Sequence, residues 1–241
     1  MLNGDDEKYC RDMYLDRVYD SVKKIQMFTP EESDAMVQEI KDSVESNKLT
    51  WTEKRHDMYA TRDIQIVYHS DYTGEERLQK HAPLTSLNAK NALDSKMVKE
   101  YRDMFNLSEE YPITYQEAFV VHYSPEKQKS LNIHTDGSPL SFVCALNDDF
   151  EGGGTHFPYL DTSCIPKKGE CCLFSGQQHH EGLETLNGER YILTGFVNHG
   201  PPMDICGEHF MEHENKEMQD EWLKKQKIIE DLSGQDTPHY L

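Results

Sequence analysis

Ala118-Phe-Val-Val-His-Tyr123, Leu140-Ser-Phe-Val-Cys-Ala-Leu146, Gly169-Glu-Cys-Cys-Leu-Phe174 and Arg190-Tyr-Ile-Leu-Thr-Gly-Phe-Val197 are short β-rich runs bounded by Pro, Gly, Asn or Asp. Runs of this length, dense in β-branched and aromatic residues and closed by turn formers, read as strands. Evenly spaced as they are from Tyr115 to Phe196, they predict a sandwich, barrel or jelly roll. Gly152-Gly153-Gly154 lies between two of them as a loop or tight bend. No helix-opening pattern or lysine follows it, so a phosphate-cradling loop is not expected.

Upstream, Ile64, Ile66 and Tyr68 alternate with polar residues, the pattern of a half-buried strand. Residues 70 to 112 are polar and predict loops with a short helix around Ser95 to Met104. The first fifty residues read as helical, because Leu15, Val18, Val22 and Ile25 recur at three- and four-residue steps. A second helix starts at Thr29-Pro30-Glu31-Glu32, with a capping hydroxyl, proline at the first helical position and glutamate three after the cap. Val37, Ile40 and Val44 form its stripe. After Pro201-Pro202 the chain turns charged, and Met211, Met218, Trp222 and Ile229 line one face of a helix running to about Leu232. The expected organisation is a helical region over 1–56 packing on the core, a β core over 57–200 and a charged helical extension over 201–241.

The chain has 241 residues, 36% hydrophobic and 29% charged, with 25 Lys+Arg against 44 Asp+Glu and a net charge of −19. That balance argues against nucleic acid and acidic membranes, which need clustered cations. No apolar run approaches the roughly 20 residues that span a bilayer. The acidic opening Met1-Leu-Asn-Gly-Asp-Asp-Glu7 has neither the basic nor the apolar part of a secretory signal, so an intracellular, cytoplasmic location is expected. Six cysteines are too few for a disulfide scaffold at this length. A zinc site on Cys206, His209 and His213 lacks a fourth ligand, and polar helix surface is the better reading.

Chemistry concentrates at His134-Thr135-Asp136, the end of a strand-like segment. Residues two apart on a strand project to the same side, so imidazole and carboxylate can meet one ion. A third ligand must come from a distant strand, and His180 follows 46 residues later, with Arg190 ten beyond it. Two histidines and a carboxylate on one face of a metal leave the other positions open, the arrangement of non-haem Fe(II) oxygenases. A dicarboxylic co-substrate then needs a guanidinium fork for its far carboxylate, which Arg190 can supply. Of the adjacent pair His179 and His180, a regular strand lets only one face the metal. His122, facing away from Tyr123, reads as structural, and His156 as surface or supporting.

Residues 57 to 198 resemble the catalytic domain of the 2-oxoglutarate- and Fe(II)-dependent dioxygenases, the procollagen lysyl hydroxylases more closely than the prolyl 4-hydroxylases. The resemblance is carried by Tyr59-Ala-Thr-Arg-Asp-Ile-Gln-Ile66, by the run from Ala118 to Asp136, and by Phe150-Glu-Gly-Gly-Gly-Thr-His-Phe157. It continues through His180-Glu-Gly-Leu-Glu-Thr185, Gly188-Glu-Arg-Tyr-Ile192 and Gly195-Phe-Val197. It implies a mainly β double-stranded β-helix of jelly-roll, cupin-like type with flanking helices. It also implies Fe(II) on His134, Asp136 and His180, with 2-oxoglutarate anchored by Arg190 and helped by Tyr123. Dioxygen is the oxidant and ascorbate the reductant that go with it. At His180-Glu-Gly-Leu the resemblance selects His180 over His179.

The expected function is hydroxylation of an unactivated C–H bond on a lysyl or other amino-acid side chain, releasing succinate and CO2. The acidic net charge is compatible with a basic substrate, and amino acid, peptide and small molecule all fit as partners. The alternatives are a prolyl or small-metabolite hydroxylase, a non-catalytic jelly-roll binding module, and a zinc hydrolase on a cupin-like barrel. The oligomeric state stays open.

Overall fold

The computed structural model describes residues 21–53, 55–56, 59–69, 76–105, 107, 109 and 113–199. Its frame is a seven-stranded antiparallel sheet. In spatial order the strands are β1 (Val22–Gln26), β10 (Glu170–Ser175), β6 (Leu140–Ala145), β13 (Arg190–His199), β4 (Ile113–Tyr123), β2 (Asp63–His69) and β3 (Glu76–Leu78). Facing it is a four-stranded sheet of β5 (Leu131–His134), β11 (His180–Gly182), β8 (Thr155–Phe157) and β9 (Thr162–Cys164). A two-stranded ribbon pairs β12 (Thr185–Asn187) with β7 (Glu151–Gly152). Two sheets enclosing a core form the jelly roll that the strand spacing predicts.

Period-two alternation divides the large sheet between two cores. On β4, Ala118 and Val120 pack with Tyr191 and Leu193 of β13 on the helix-covered face. The intervening Phe119, Val121 and Tyr123 pack with Ile192, Val143, Cys172 and Phe174 on the other face, toward the small sheet. The helix side is filled by α1 (Pro30–Glu45), through Met36 and Ile40, and by a helical run of α2 (Pro83–Ala92), a π-turn segment (Leu93–Met97) and α3 (Val98–Phe105). At the start of α1 the Thr29 hydroxyl accepts from the Glu32 amide, and the Glu32 carboxylate accepts from the Thr29 amide. The capping box read from the sequence is therefore formed.

Two local expectations are corrected. The helix anticipated through Val22 and Ile25 is, over Val22–Gln26, an edge strand paired with β10, with Val22 opposite Phe174 and Ile25 opposite Cys171. Three-residue spacing in so short a run suits either element, and the sheet edge decides: Ile25 packs on the helix-side core and Val22 on the inner one. The helix expected around Ser95 to Met104 instead begins at Pro83. Its first turns bury Thr85, Ser86 and Ala89 while Leu84 and Leu87 are exposed, so no apolar stripe marks them. Glu39 of α1 accepts from the Leu84 and Thr85 amides and so satisfies that helix start.

The expected C-terminal helix, its Met and Trp face, and Cys206, His209 and His213 lie outside the described residues. Among the described residues no helix is long and apolar enough to cross a membrane. Cys144, Cys164, Cys171 and Cys172 are free thiols and buried.

Candidate active site

His134 ends β5 and His180 begins β11, and the antiparallel register places them directly opposite each other with ring centroids 4.3 Å apart. Asp136 follows in the turn after β5, where its amide donates to the Gly176 carbonyl at 2.7 Å. The ligand atoms of His134, Asp136 and His180 all lie within 4.8 Å of one another. Thr135 lies between them in sequence.

Both imidazoles are held in one tautomer. Nδ1 of His134 lies 2.7 Å from the Asn132 carbonyl, and Nδ1 of His180 lies 2.8 Å from the Gln178 carbonyl. A carbonyl only accepts, so each Nδ1 carries the proton and donates it. Each Nε2 is turned to Asp136, at 3.5 Å (His134) and 3.6 Å (His180) from its two carboxylate oxygens. These gaps exceed a hydrogen bond. Burial pushes His180 down to about 4, against the pull of Asp136, so its ring is neutral at pH 7. Burial works to raise the Asp136 carboxyl, but His180 and His134 outweigh it and hold it below its ordinary value. Two imidazole nitrogens and a carboxylate thus converge in a buried site at separations too long for hydrogen bonds, and a divalent cation fits that donor set.

The site opens on a cavity of about 330 Å³ between the sheets. Arg190 lies in its wall, 2% exposed, with Nη1 unpartnered. Its guanidinium lies over the Tyr123 ring at 5.2 Å and near the Phe150 ring at 6.0 Å. No carboxylate among the described residues forms an ion pair with it. Burial works to depress its pKa, with the Tyr123 hydroxyl acting the other way. Tyr123 stands directly across the strand pair from Arg190, and burial raises its hydroxyl to about 12, so it keeps its proton as a donor. Gly153, with φ at +69°, leaves room for the arginine stem: a Cβ there would lie 2.9 Å from Arg190 Cδ.

All five residues singled out from sequence, His134, Asp136, His180, Arg190 and Tyr123, line this one cavity. His179 is buried but outside the ligand cluster. His122 points to the helix side and stacks on Tyr191 at 4.6 Å. His156 is half-buried, with Nδ1 3.0 Å from the Ser163 hydroxyl. Sequence reading missed His56, Phe119, Thr194 and Phe196 in the wall, and gave no role to Tyr59, whose ring stacks on His134 at 4.8 Å. His56 lies in a polar loop, where nothing in the local pattern separates it from a solvent-facing residue. Among the described residues Asp136 is the one acidic side chain in the lining.

No protein-family model matches the chain. Over 87 residues it is 44% identical to procollagen-lysine,2-oxoglutarate 5-dioxygenase 1 of Mus musculus, a match covering 34% of this chain and 12% of that protein. A multifunctional procollagen lysine hydroxylase and glycosyltransferase of Caenorhabditis elegans is 41% identical over 93 residues, covering 36% of this chain and 13% of the relative. In structure, a prolyl hydroxylase from Trichoplax adhaerens, solved with a hypoxia inducible factor peptide, aligns with a TM-score of 0.55 at 11% identity, covering 88% of this chain and 95% of that one. A viral collagen prolyl hydroxylase from Paramecium Bursaria Chlorella virus-1, solved with 2OG, gives a TM-score of 0.51 at 17% identity, with 75% and 96% covered. The chain therefore has the double-stranded β-helix fold of the 2-oxoglutarate- and Fe(II)-dependent oxygenases, and over about a third of its length it resembles the procollagen-lysine dioxygenases.

Proposed function

We propose that the protein is an Fe(II)- and 2-oxoglutarate-dependent dioxygenase that hydroxylates an amino-acid side chain, a lysyl one by its sequence relatives. The observation that carries this reading is one cavity holding both a converging His134, Asp136 and His180 donor set and a buried guanidinium, Arg190, that has no ion-pair partner among the described residues. A binding module would have no use for the two together. Bound Fe(II) with 2-oxoglutarate and dioxygen supplies the oxidising power that replaces a C–H hydrogen by hydroxyl, with succinate and CO2 as co-products and ascorbate as reductant.

His134, Asp136 and His180 hold the metal, the histidines through the Nε2 atoms that their Nδ1 hydrogen bonds leave free. Arg190 pairs with the far carboxylate of 2-oxoglutarate through its fork, and the Tyr123 hydroxyl is available to donate beside it. Val121, Val143, Phe174 and Ile192 line the cavity with apolar surface. The substrate is an amino acid, a peptide or a similarly small molecule.

Succinate release tests the reading. Purified protein with Fe(II), ascorbate and 2-oxoglutarate should release succinate slowly, and lysine-containing peptides or free lysine should stimulate it. If prolyl or neutral substrates stimulate release and lysyl ones never do, the lysyl assignment fails. A protein that binds neither metal nor 2-oxoglutarate would end the enzyme reading.

Gly153 gives a second check. Gly153→Ala must adopt a positive φ and push on Cδ of Arg190. The affinity for 2-oxoglutarate, measured by calorimetry, should fall about tenfold while Fe(II) affinity stays near the wild-type value.

A further inference from the structure

The inward side chains of β13 run Arg190, Ile192, Thr194 and Phe196, and across the pair on β4 stand Tyr123 opposite Arg190, Val121 opposite Ile192 and Phe119 opposite Thr194. At about 3.3 Å per residue, Arg190 and Phe196 are roughly 20 Å apart along the strand. The cavity therefore has two ends. On the small sheet Gly182 marks the Arg190 end, since a Cβ there would lie 3.6 Å from the Tyr123 hydroxyl. His180 and His134 stand one pair further along. The far end belongs to Phe119, Phe196 and His56, whose ring centroid lies 5.1 Å from Phe119 and 5.8 Å from Phe196.

His56 is held by a network that fixes its proton. Arg55 donates through Nε to Asp63 at 2.6 Å and through Nη1 to Glu117 at 2.8 Å, and its Nη2 lies 3.2 Å from His56 Nε2. Asp63 and Glu117 are further tied to the Thr61 hydroxyl and the Gln65 amide. A guanidinium only donates, so Nε2 of His56 accepts and the proton sits on Nδ1. The nearest Glu117 oxygen, 3.7 Å from Nε2, is beyond hydrogen-bonding range, as suits an unprotonated nitrogen. Nδ1, on the other side of the ring, has no hydrogen-bond partner among the described residues. The wall at this end thus presents one N–H donor set among aromatic rings, with the Arg55 cation behind it at 5.0 Å from the Phe119 ring.

We propose that His56 is a specificity-determining residue that donates its Nδ1 hydrogen to an acceptor oxygen of the substrate, while Phe119 and Phe196 cover the adjoining aliphatic part. The oxygen is a main-chain carbonyl of a peptide or the carboxylate of a free amino acid. A substrate ammonium has no lone pair to accept from that N–H, so a donor at this position pairs with an oxygen and not with an amine cation. A lysyl substrate accordingly enters with its carbonyl or carboxylate, not its amine, toward His56. This rests on the oxygenase reading of the same cavity.

The test uses protein loaded with 2-oxoglutarate and diamagnetic Zn(II) in place of the reactive iron, so binding is read without turnover. Ring-nitrogen NMR of ¹⁵N-histidine-labelled protein should show the His56 proton on Nδ1. A capped lysyl tripeptide or free lysine should shift that signal, and whichever does so identifies the oxygen as carbonyl or carboxylate. A proton on Nε2, or no shift with either probe, overturns the proposal. In turnover, His56→Phe keeps the ring but loses the donor, and the KM for the stimulating lysyl probe should rise about tenfold, with kcat changed less than about threefold. His56→Asn places an amide N–H near the lost Nδ1 and should recover most of the loss. Equal effects of the two variants would also overturn it. Failure of the oxygenase reading shows separately, as wild-type protein that does not bind 2-oxoglutarate, and the His56 proton and probe shifts still decide this proposal.

Discussion

His180→Ala will weaken Fe(II) binding by more than about a hundredfold and abolish metal-dependent succinate release, whereas His179→Ala, one residue earlier, will keep most of both. Removing a group that only orients a ligand typically lowers metal affinity by about 10–100-fold, so removing the ligand should do more. His180 faces His134 across the β5 and β11 register, and its Nδ1 bond to Gln178 leaves Nε2 turned to Asp136. His179 has no place in that cluster. Its imidazole is nonetheless buried, and burial pushes it down to about 4, so its replacement leaves a gap and lowers stability. Thermal unfolding separates the two outcomes. Fe(II) added without oxygen should raise the Tm of wild-type and His179→Ala protein, because an ion that binds only the folded state stabilises it, and should leave His180→Ala unmoved. A metal-dependent Tm rise in His180→Ala with none in His179→Ala would reverse the ligand assignment.

The strands β4, β6, β10 and β13 were legible because each has one face on each core. On β4, Phe119, Val121 and Tyr123 face one core and Ala118 and Val120 the other, so the run is continuously apolar, and its β-branched and aromatic make-up between turn formers, not a period, marks it as a strand. The His134 and Asp136 pair was legible from its two-residue spacing at the end of a strand-like run, although Asp136 itself stands in the turn just past β5. β1 was not, because Val22 and Ile25 gain their meaning only from Phe174 and Cys171, about 150 residues away in the chain. The helix from Pro83 was partly hidden because its buried side chains are Thr85, Ser86 and Ala89, which carry no hydrophobic signal. His56 illustrates the limit for function. Its role depends on Phe119, Glu117 and Phe196, brought to it by β4 and β13, and no local pattern encodes that meeting.

Arg190→Met should have opposite effects on affinity and on stability. Arg190 is 2% exposed, and among the described residues its Nη1 is unpartnered, with the Tyr123 and Phe150 rings beside the guanidinium. Burying a charge without a counter-ion is unfavourable by several kcal/mol, of which the ring contacts return only part. A methionine of similar length removes that penalty, so the variant should be more stable without ligand by about 1–2 kcal/mol, or roughly 2–8 °C in Tm. Binding should move the other way. Removing one partner of a desolvated charge pair costs about 2–5 kcal/mol, which is roughly a thirtyfold to several-thousandfold loss of 2-oxoglutarate affinity. Arg190→Lys keeps the charge but replaces the fork by a point charge, so it should fall between, with a loss of about ten- to a hundredfold. Lys167 and Lys168 offer no substitute: neither lines the cavity, and Lys168 pairs with Asp34 at 2.8 Å. Calorimetry with 2-oxoglutarate and unfolding with and without it measure both signs. An Arg190→Met protein that binds 2-oxoglutarate as tightly as wild type would place the anchor elsewhere. One that binds weakly but is also less stable when empty would show that Arg190 is a structural cation whose charge the fold already satisfies.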